Sequence, residues 1–198
     1  MMKQRTANPA TGWGLQDLPN VITVLRMFAV VPLVWLLVGD QYLAALWLAF
    51  FAGLSDAVDG YLAKRFGWVS RVGGILDPLA DKFLLVGCVV VLALKGLLPM
   101  WLLWLVLGRD LLIVGGAAAF NFLVQRVEHA EPSRLSKLNT CMQIALVLLV
   151  LVELAYGWEL RWVATLVMVT ALTTIASGVH YVWYWGRKAR EKTSDEVH

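Results

Sequence analysis

An all-helical integral membrane protein with six transmembrane helices and both termini cytoplasmic is the fold class this sequence predicts. Three observations carry that expectation. Hydrophobic residues make up 60% of the 198 and charged residues only 16%, against roughly 25% charged in a soluble domain. The apolar residues are gathered into six stretches, at about 21–38, 42–54, 75–94, 97–124, 144–155 and 162–185. The connections between them alternate in Lys and Arg content.

Taken in order, residues 1–19 form an N-terminal cytoplasmic or interfacial segment. It lacks an apolar centre and a small-residue cleavage pattern, so the first span is expected to be retained. Trp13, Leu15 and Leu18 fit a short amphipathic element at the interface and equally a disordered tail. Span one is long enough for a hydrocarbon core that needs about 20 helical residues. Span two is short as a purely apolar run, and continuing it through Asp56 and Asp59 to Ala63 completes it. The remaining stretches cross alone or with flanking turns, so residues 20–186 make one six-helix membrane domain and 187–198 a solvated cytoplasmic tail.

Cationic residues set the orientation, since cytoplasmic loops are enriched in Lys and Arg. Lys3 and Arg5 precede span one, Lys64, Arg65 and Arg71 follow span two, and Arg126, Arg134 and Lys137 lie between spans four and five. Arg187, Lys188, Arg190 and Lys192 follow span six. On the other side stand only Lys95 and Arg161, against Asp40 and Glu159.

Several function classes drop out at this stage. Cys88 and Cys141 sit in apolar runs without CxxC or Cys/His spacing, so neither a disulfide framework nor a zinc site is supported. His129, His180 and His198 form no ligand pattern. Six of the ten Trp, including Trp101, Trp104, Trp158 and Trp162, fall at span ends as an aromatic belt. They are not a base-stacking platform, and no nucleic-acid partner is expected.

The chemistry lies between Ser55 and Lys82, SDAVDGYLAKRFGWVSRVGGILDPLADK. Asp56, Asp59, Gly60 and Ala63 follow spacings of three and four, along one face of a helix. Asp77 and Asp81 are one turn apart, with Gly73 one turn earlier. Two helices joined by a short basic loop can bring four carboxylates together. Two like charges about 4 Å apart repel by about 4 kcal/mol at an effective dielectric near 20, so a converged set needs cations. Lys82 points about 100° away from Asp81 and serves that purpose poorly. Hard divalent cations prefer oxygen ligands, and four Asp with open positions suit a two-metal phosphoryl site. Two blander readings stand beside this one: surface-solvated loop acids, and glycines that serve helix packing. A cation transporter is a third, and it predicts midplane acids and an internal repeat that the sequence does not show.

Together, Asp56-x2-Asp59-Gly60-x2-Ala63-Lys64-x8-Gly73-x3-Asp77-x3-Asp81 resembles the signature of the CDP-alcohol phosphatidyltransferase family. The departure is Lys64, where the usual motif has Arg; the charge stays but the bidentate fork is lost. The opening Pro19-Asn20-x2-Thr23-x2-Arg26 is also similar to the family's start. The resemblance implies the family fold, with two divalent cations, Mg²⁺ or Mn²⁺, held by Asp56, Asp59, Asp77 and Asp81. It also implies Asp81 as general base and a CDP site lined by Asp59, Gly60, Ala63, Lys64 and Gly73. The reaction implied is transfer of a phosphatidyl group from CDP-diacylglycerol to an acceptor hydroxyl, releasing CMP. Members of the family commonly dimerise; the sequence leaves a homodimer open.

For the acceptor site the candidates are Arg109, Arg134, Lys137 and Thr140. Arg109 interrupts the fourth apolar run, where a charge is expensive. Asp110 adjoins it, but adjacent helical residues do not face one another, so Arg109 is expected to find its partner elsewhere, in an acceptor phosphate or an interhelical ion pair. Arg134, Lys137, Thr140 and Gln143 begin helix five, as phosphate binders or a positive-inside anchor. Gly108-Arg109-Asp110-Leu111, Ser136-Lys137-Leu138-Asn139-Thr140, and Thr173-Thr174 with Ser177 and the aromatic run from Tyr181 to Trp185 are similar to the cardiolipin-forming branch of the family. That likeness implies phosphatidylglycerol as acceptor, with glycerol 3-phosphate as the alternative.

Overall fold

A computed structural model describes the backbone over residues 18–66, 73–123, 134–159 and 161–195, and side-chain surroundings over 24–55, 58, 82–116, 134–159, 161–184 and 187. Residues 1–17, with Trp13 and Leu15, and the connections at 67–72 and 124–133 lie outside the described residues.

Six helices run α1 (Leu18–Val38), α2 (Tyr42–Phe66), α3 (Gly73–Leu94), α4 (Met100–Leu123), α5 (Arg134–Tyr156) and α6 (Trp162–Asp195). Each apolar stretch becomes one helix, and the differences sit at the ends. Helix α4 begins at Met100 because Leu97, Leu98 and Pro99 form the preceding turn, where Leu98 is nevertheless buried. Helix α6 continues ten residues past the apolar run into the expected cytoplasmic tail, with no proline to interrupt it. Pro78 falls at the sixth position of α3, past the first turn, so α3 runs on through it.

Three turns close the same end of the bundle by one device. At α1–α2, Gln41 N donates to Leu36 O at 2.9 Å and Asp40 N to Leu37 O at 3.3 Å. At α3–α4, Leu97 N donates to Leu92 O at 2.9 Å, and at α5–α6 Trp158 N donates to Glu153 O at 3.2 Å. These are Schellman closures that need a left-handed residue. Asp40 (φ 58°), Gly96 (φ 73°) and Gly157 (φ 67°) supply it. Asp40 is the unusual occupant, and Lys95 holds it: Lys95 Nζ donates to Asp40 at 2.5 Å and to the α1 carbonyls of Leu37 (2.8 Å) and Val38 (3.0 Å). The α3–α4 turn thereby caps α1.

Among the described residues, packing closes a ring in the order α1, α2, α5, α6, α4, α3, with α3 and α5 also touching across it. Leu33 and Leu37, Cys88 and Leu92, Leu102 and Val106, and Leu146 and Leu151 form its core. The cross-contact divides the ring into two four-helix groups that share α3 and α5. Aspartate-bearing α2 and α3 both pack on α1 and α5; Arg109 on α4 faces the second group.

Outward surfaces are as apolar as the interior. Phe28, Val31 and Trp35 on α1 are 69%, 70% and 76% exposed, a contiguous patch that water would not tolerate and lipid would. Among the described residues α5 and Trp162–Tyr184 of α6 are long and apolar enough to cross a membrane; the described apolar parts of α1, α2 and α3 are shorter. The chain is an all-helical membrane protein.

Candidate functional site

The three tight turns all lie at one end, so α2 finishes and α3 begins at the other, where the sequence places its acids. Helix α2 is unbroken to Phe66, which keeps Asp56, Asp59, Gly60, Ala63 and Lys64 on continuous helix. Helix α3 opens at Gly73, so Asp77 and Asp81 follow on successive turns. In helical register the first two acids are about 60° apart and the second two about 40°, one face in each case. The side chains of these residues lie outside the described residues, and the structure speaks only to their backbone. An all-carboxylate donor set at the ends of two helices with common neighbours fits a hard divalent cation. Among the described residues there is no group of three or more His, Cys, Asp or Glu that could hold a metal.

A second polar centre is described in full. Arg109 on α4 is buried, and its guanidinium is engaged on three sides. Nη1 pairs with Asp110 Oδ1 at 2.7 Å, Nη2 donates to Ser136 Oγ of α5 at 2.6 Å, and Nη2 and Nε donate to Ser177 Oγ of α6 at 2.7 and 3.2 Å. The expectation that Arg109 would look past Asp110 is corrected. Neighbouring Cβ vectors diverge by about 100°, but a guanidinium three methylenes out folds back along the helix and reaches the adjacent carboxylate. Lys82 on α3, which points away from Asp81, meets the same Asp110 oxygen at 2.5 Å. Two cations thus share one carboxylate, leaving one positive charge in excess among the described residues and joining α3, α4, α5 and α6.

Helix α5 presents other residues than its spacing of basic groups suggests. Arg134 and Lys137 are exposed, and Thr140 is half-buried, with Oγ1 donating to Ser136 O at 3.1 Å. The buried polar residues are Asn139 and Gln143, one turn apart; Lys137 stands roughly 160° round the helix from Asn139. Asn139 Oδ1 accepts from Thr174 Oγ1 at 2.8 Å and Thr173 Oγ1 at 3.0 Å on α6. The signal that finds this face is apolar: Leu146, Val147 and Val150 continue the stripe of Asn139 and Gln143. Lys137 and Thr140 follow a three-residue spacing that drifts off it.

The sequence profile described as CDP-alcohol phosphatidyltransferase matches residues 16–176, from the start of α1 into α6. A cardiolipin synthase (CMP-forming) / mitochondrial hydrolase fusion protein of Schizosaccharomyces pombe is 33% identical over 83% of this chain and 30% of its own length. The chloroplastic CDP-diacylglycerol–glycerol-3-phosphate 3-phosphatidyltransferase 1 of Oryza sativa is 36% identical over 83% of this chain and 56% of its own. Its namesake in Aquifex aeolicus is 34% identical over 63% of this chain and 69% of its own. The chain thus spans less than two thirds of the first two relatives. With most of its length inside the family's profile, and aspartates on the two helices that end together, this chain belongs to the CDP-alcohol phosphatidyltransferase family, whose members are generally dependent on divalent cations.

Proposed function

We propose that the protein works in phospholipid biosynthesis, transferring a phosphatidyl group from CDP-diacylglycerol to a hydroxyl of phosphatidylglycerol, with cardiolipin and CMP as products. The observation that carries this is the run of four aspartates across the α2 and α3 ends, inside the family match. Six spans with both termini cytoplasmic would put those ends, and the water-soluble CMP, on the cytoplasmic side. A homodimer is compatible with this arrangement.

Asp56, Asp59, Asp77 and Asp81 would hold two divalent cations, Mg²⁺ or Mn²⁺, which when bound supply positive charge to the phosphates. Asp59, Gly60, Ala63, Lys64 and Gly73 line the path of the cytidine diphosphate, the glycines leaving room for it and Lys64 contributing charge. Asp81 takes the proton from the acceptor hydroxyl as its oxygen bonds to the diacylglycerol-bearing phosphorus. The bond from that phosphorus to the CMP oxygen breaks. CMP leaves as a phosphomonoester whose second pKa is roughly 6, so it departs without an acid. Arg109, Arg134, Lys137 and Thr140 are assigned to the acceptor's phosphate, Arg109 through the charge left over beside Asp110.

Glycerol 3-phosphate is the second reading of the acceptor, favoured by the glycerol-3-phosphate phosphatidyltransferases among the relatives. Purified protein with CDP-diacylglycerol and Mg²⁺ or Mn²⁺, offered each acceptor in turn, separates the two. Cardiolipin from phosphatidylglycerol alone supports the first; phosphatidylglycerophosphate from glycerol 3-phosphate alone replaces it.

A further inference from the structure

The polar seam between α5 and α6 ends on two side chains with hydrogen-bonding capacity to spare. Asn139 is 0% and Gln143 3% exposed. Although Asn139 Oδ1 is engaged by Thr173 and Thr174, its Nδ2 has no partner among the described residues, nor has Nε2 of Gln143. Buried amide donors are seldom left without an acceptor, and two on successive turns of one helix face call for one. Polarity stops there, for the next residues along that face, Leu146, Val147 and Val150, are apolar and buried. One turn toward the aspartate end, Ser136 holds the Arg109 guanidinium. With Oδ1 turned to the α6 hydroxyls, the Asn139 amino group points away from them.

We propose that Asn139 and Gln143 form a subsite for the non-reacting hydroxyl of a glycerol-bearing acceptor. The proposal rests on the phosphatidyl transfer argued above. A glycerol group that attacks through its primary hydroxyl carries a secondary hydroxyl beside it, and that oxygen needs a donor once it leaves water. Neutral amides match a neutral hydroxyl; a phosphate is better met by the cationic groups one turn away. Binding there aligns the primary hydroxyl without any bond changing at the subsite. Phosphatidylglycerol and glycerol 3-phosphate share this chemistry.

The test is CMP release by the full chain in detergent with each acceptor and its analogue lacking the 2-hydroxyl, phosphatidylpropane-1,3-diol and 3-hydroxypropyl phosphate. With unaltered protein the analogue of the working acceptor should lose about 10-fold in kcat/KM; the acceptor pair that shows the loss identifies the source. Gln143→Met should lose a similar factor with the hydroxyl-bearing acceptor, nothing further with the analogue, and leave the KM for CDP-diacylglycerol unchanged. Turnover of parent and analogue alike by unaltered protein overturns the subsite alone. So does a Gln143→Met loss that is the same with and without the hydroxyl, because the amide then acts on packing. If neither glycerol acceptor releases CMP, the proposed function falls and the subsite with it.

Discussion

Replacing Asp81 with Asn keeps the size of the side chain and removes its charge, taking away the proposed base and a proposed cation ligand together. CMP release should fall by at least about 100-fold, while the protein elutes from a sizing column in detergent as before; undiminished release would remove Asp81 from the mechanism. Arg109 differs, because its guanidinium is both a structural hub and a source of charge. Arg109→Lys keeps the charge but cannot span Asp110, Ser136 and Ser177 at once. A thermal melt should show it destabilised by about 1–3 kcal/mol, with Arg109→Ala lower still. A KM for the acceptor that rises in Arg109→Lys while that for CDP-diacylglycerol stays fixed supports its acceptor role; equal changes in both leave only the structural one.

Between helices, α4 and α6 pack tightly at Gly116. A Cβ at Gly116 would stand 2.9 Å from Tyr181 Cε1 and 3.3 Å from its hydroxyl, which donates to Ile113 O at 2.9 Å. Gly116→Val should push the ring off that carbonyl and lower stability by about 1–3 kcal/mol; an unchanged melt would show that α6 swings aside freely. At the opposite end the Asp40–Lys95 pair joins α1 to the α3–α4 turn. Hydrogen bonds from Lys95 and Tyr42 hold the Asp40 carboxyl below its ordinary 3.8, and the bond to Asp40 raises Lys95 above its ordinary 10.5. The depressed carboxylate contributes stability present above 3.8 and lost as pH falls through its lower folded value. The raised ammonium contributes stability present below 10.5 and lost as pH rises through its higher folded value. Asp40→Asn should therefore flatten the acid limb of a stability-versus-pH curve below about pH 4. An acid limb identical to the parent's would mean that the turn holds without the pair, as an exposed ion pair often contributes little.

For the whole molecule, ring packing puts the aspartate-bearing helix ends and the Arg109 centre in two four-helix groups that share α3 and α5; in the proposed reaction, donor and acceptor would approach from either side of that shared contact. Chelation by EDTA should abolish CMP release and added Mg²⁺ or Mn²⁺ restore it; activity that survives chelation would contradict a cation-dependent site. Orientation is tested by placing single cysteines in a background that carries Cys88→Ala and Cys141→Ala. Glu159→Cys in the α5–α6 turn should label from the non-cytoplasmic side of the membrane, Arg187→Cys only from the cytoplasmic side, and the reverse pattern would invert the proposed topology.

The six helices, the end of the bundle that holds the acids, the apolar surface and the family were all legible in the sequence, because they depend on the chain's own pattern. Apolar run length sets a helix against lipid, and residues three or four apart share a helix face whatever surrounds them. Tertiary structure decided which polar groups meet. The pairing of Arg109 with Asp110 depends on how a long side chain folds back when Ser136 and Ser177 close round it, and Asn139 rather than Lys137 turns inward because α5 rotates to bury Leu146 and Val150. The link from Lys95 to Asp40 crosses 55 residues of sequence, a proximity that only the packing of α1 on α3 creates.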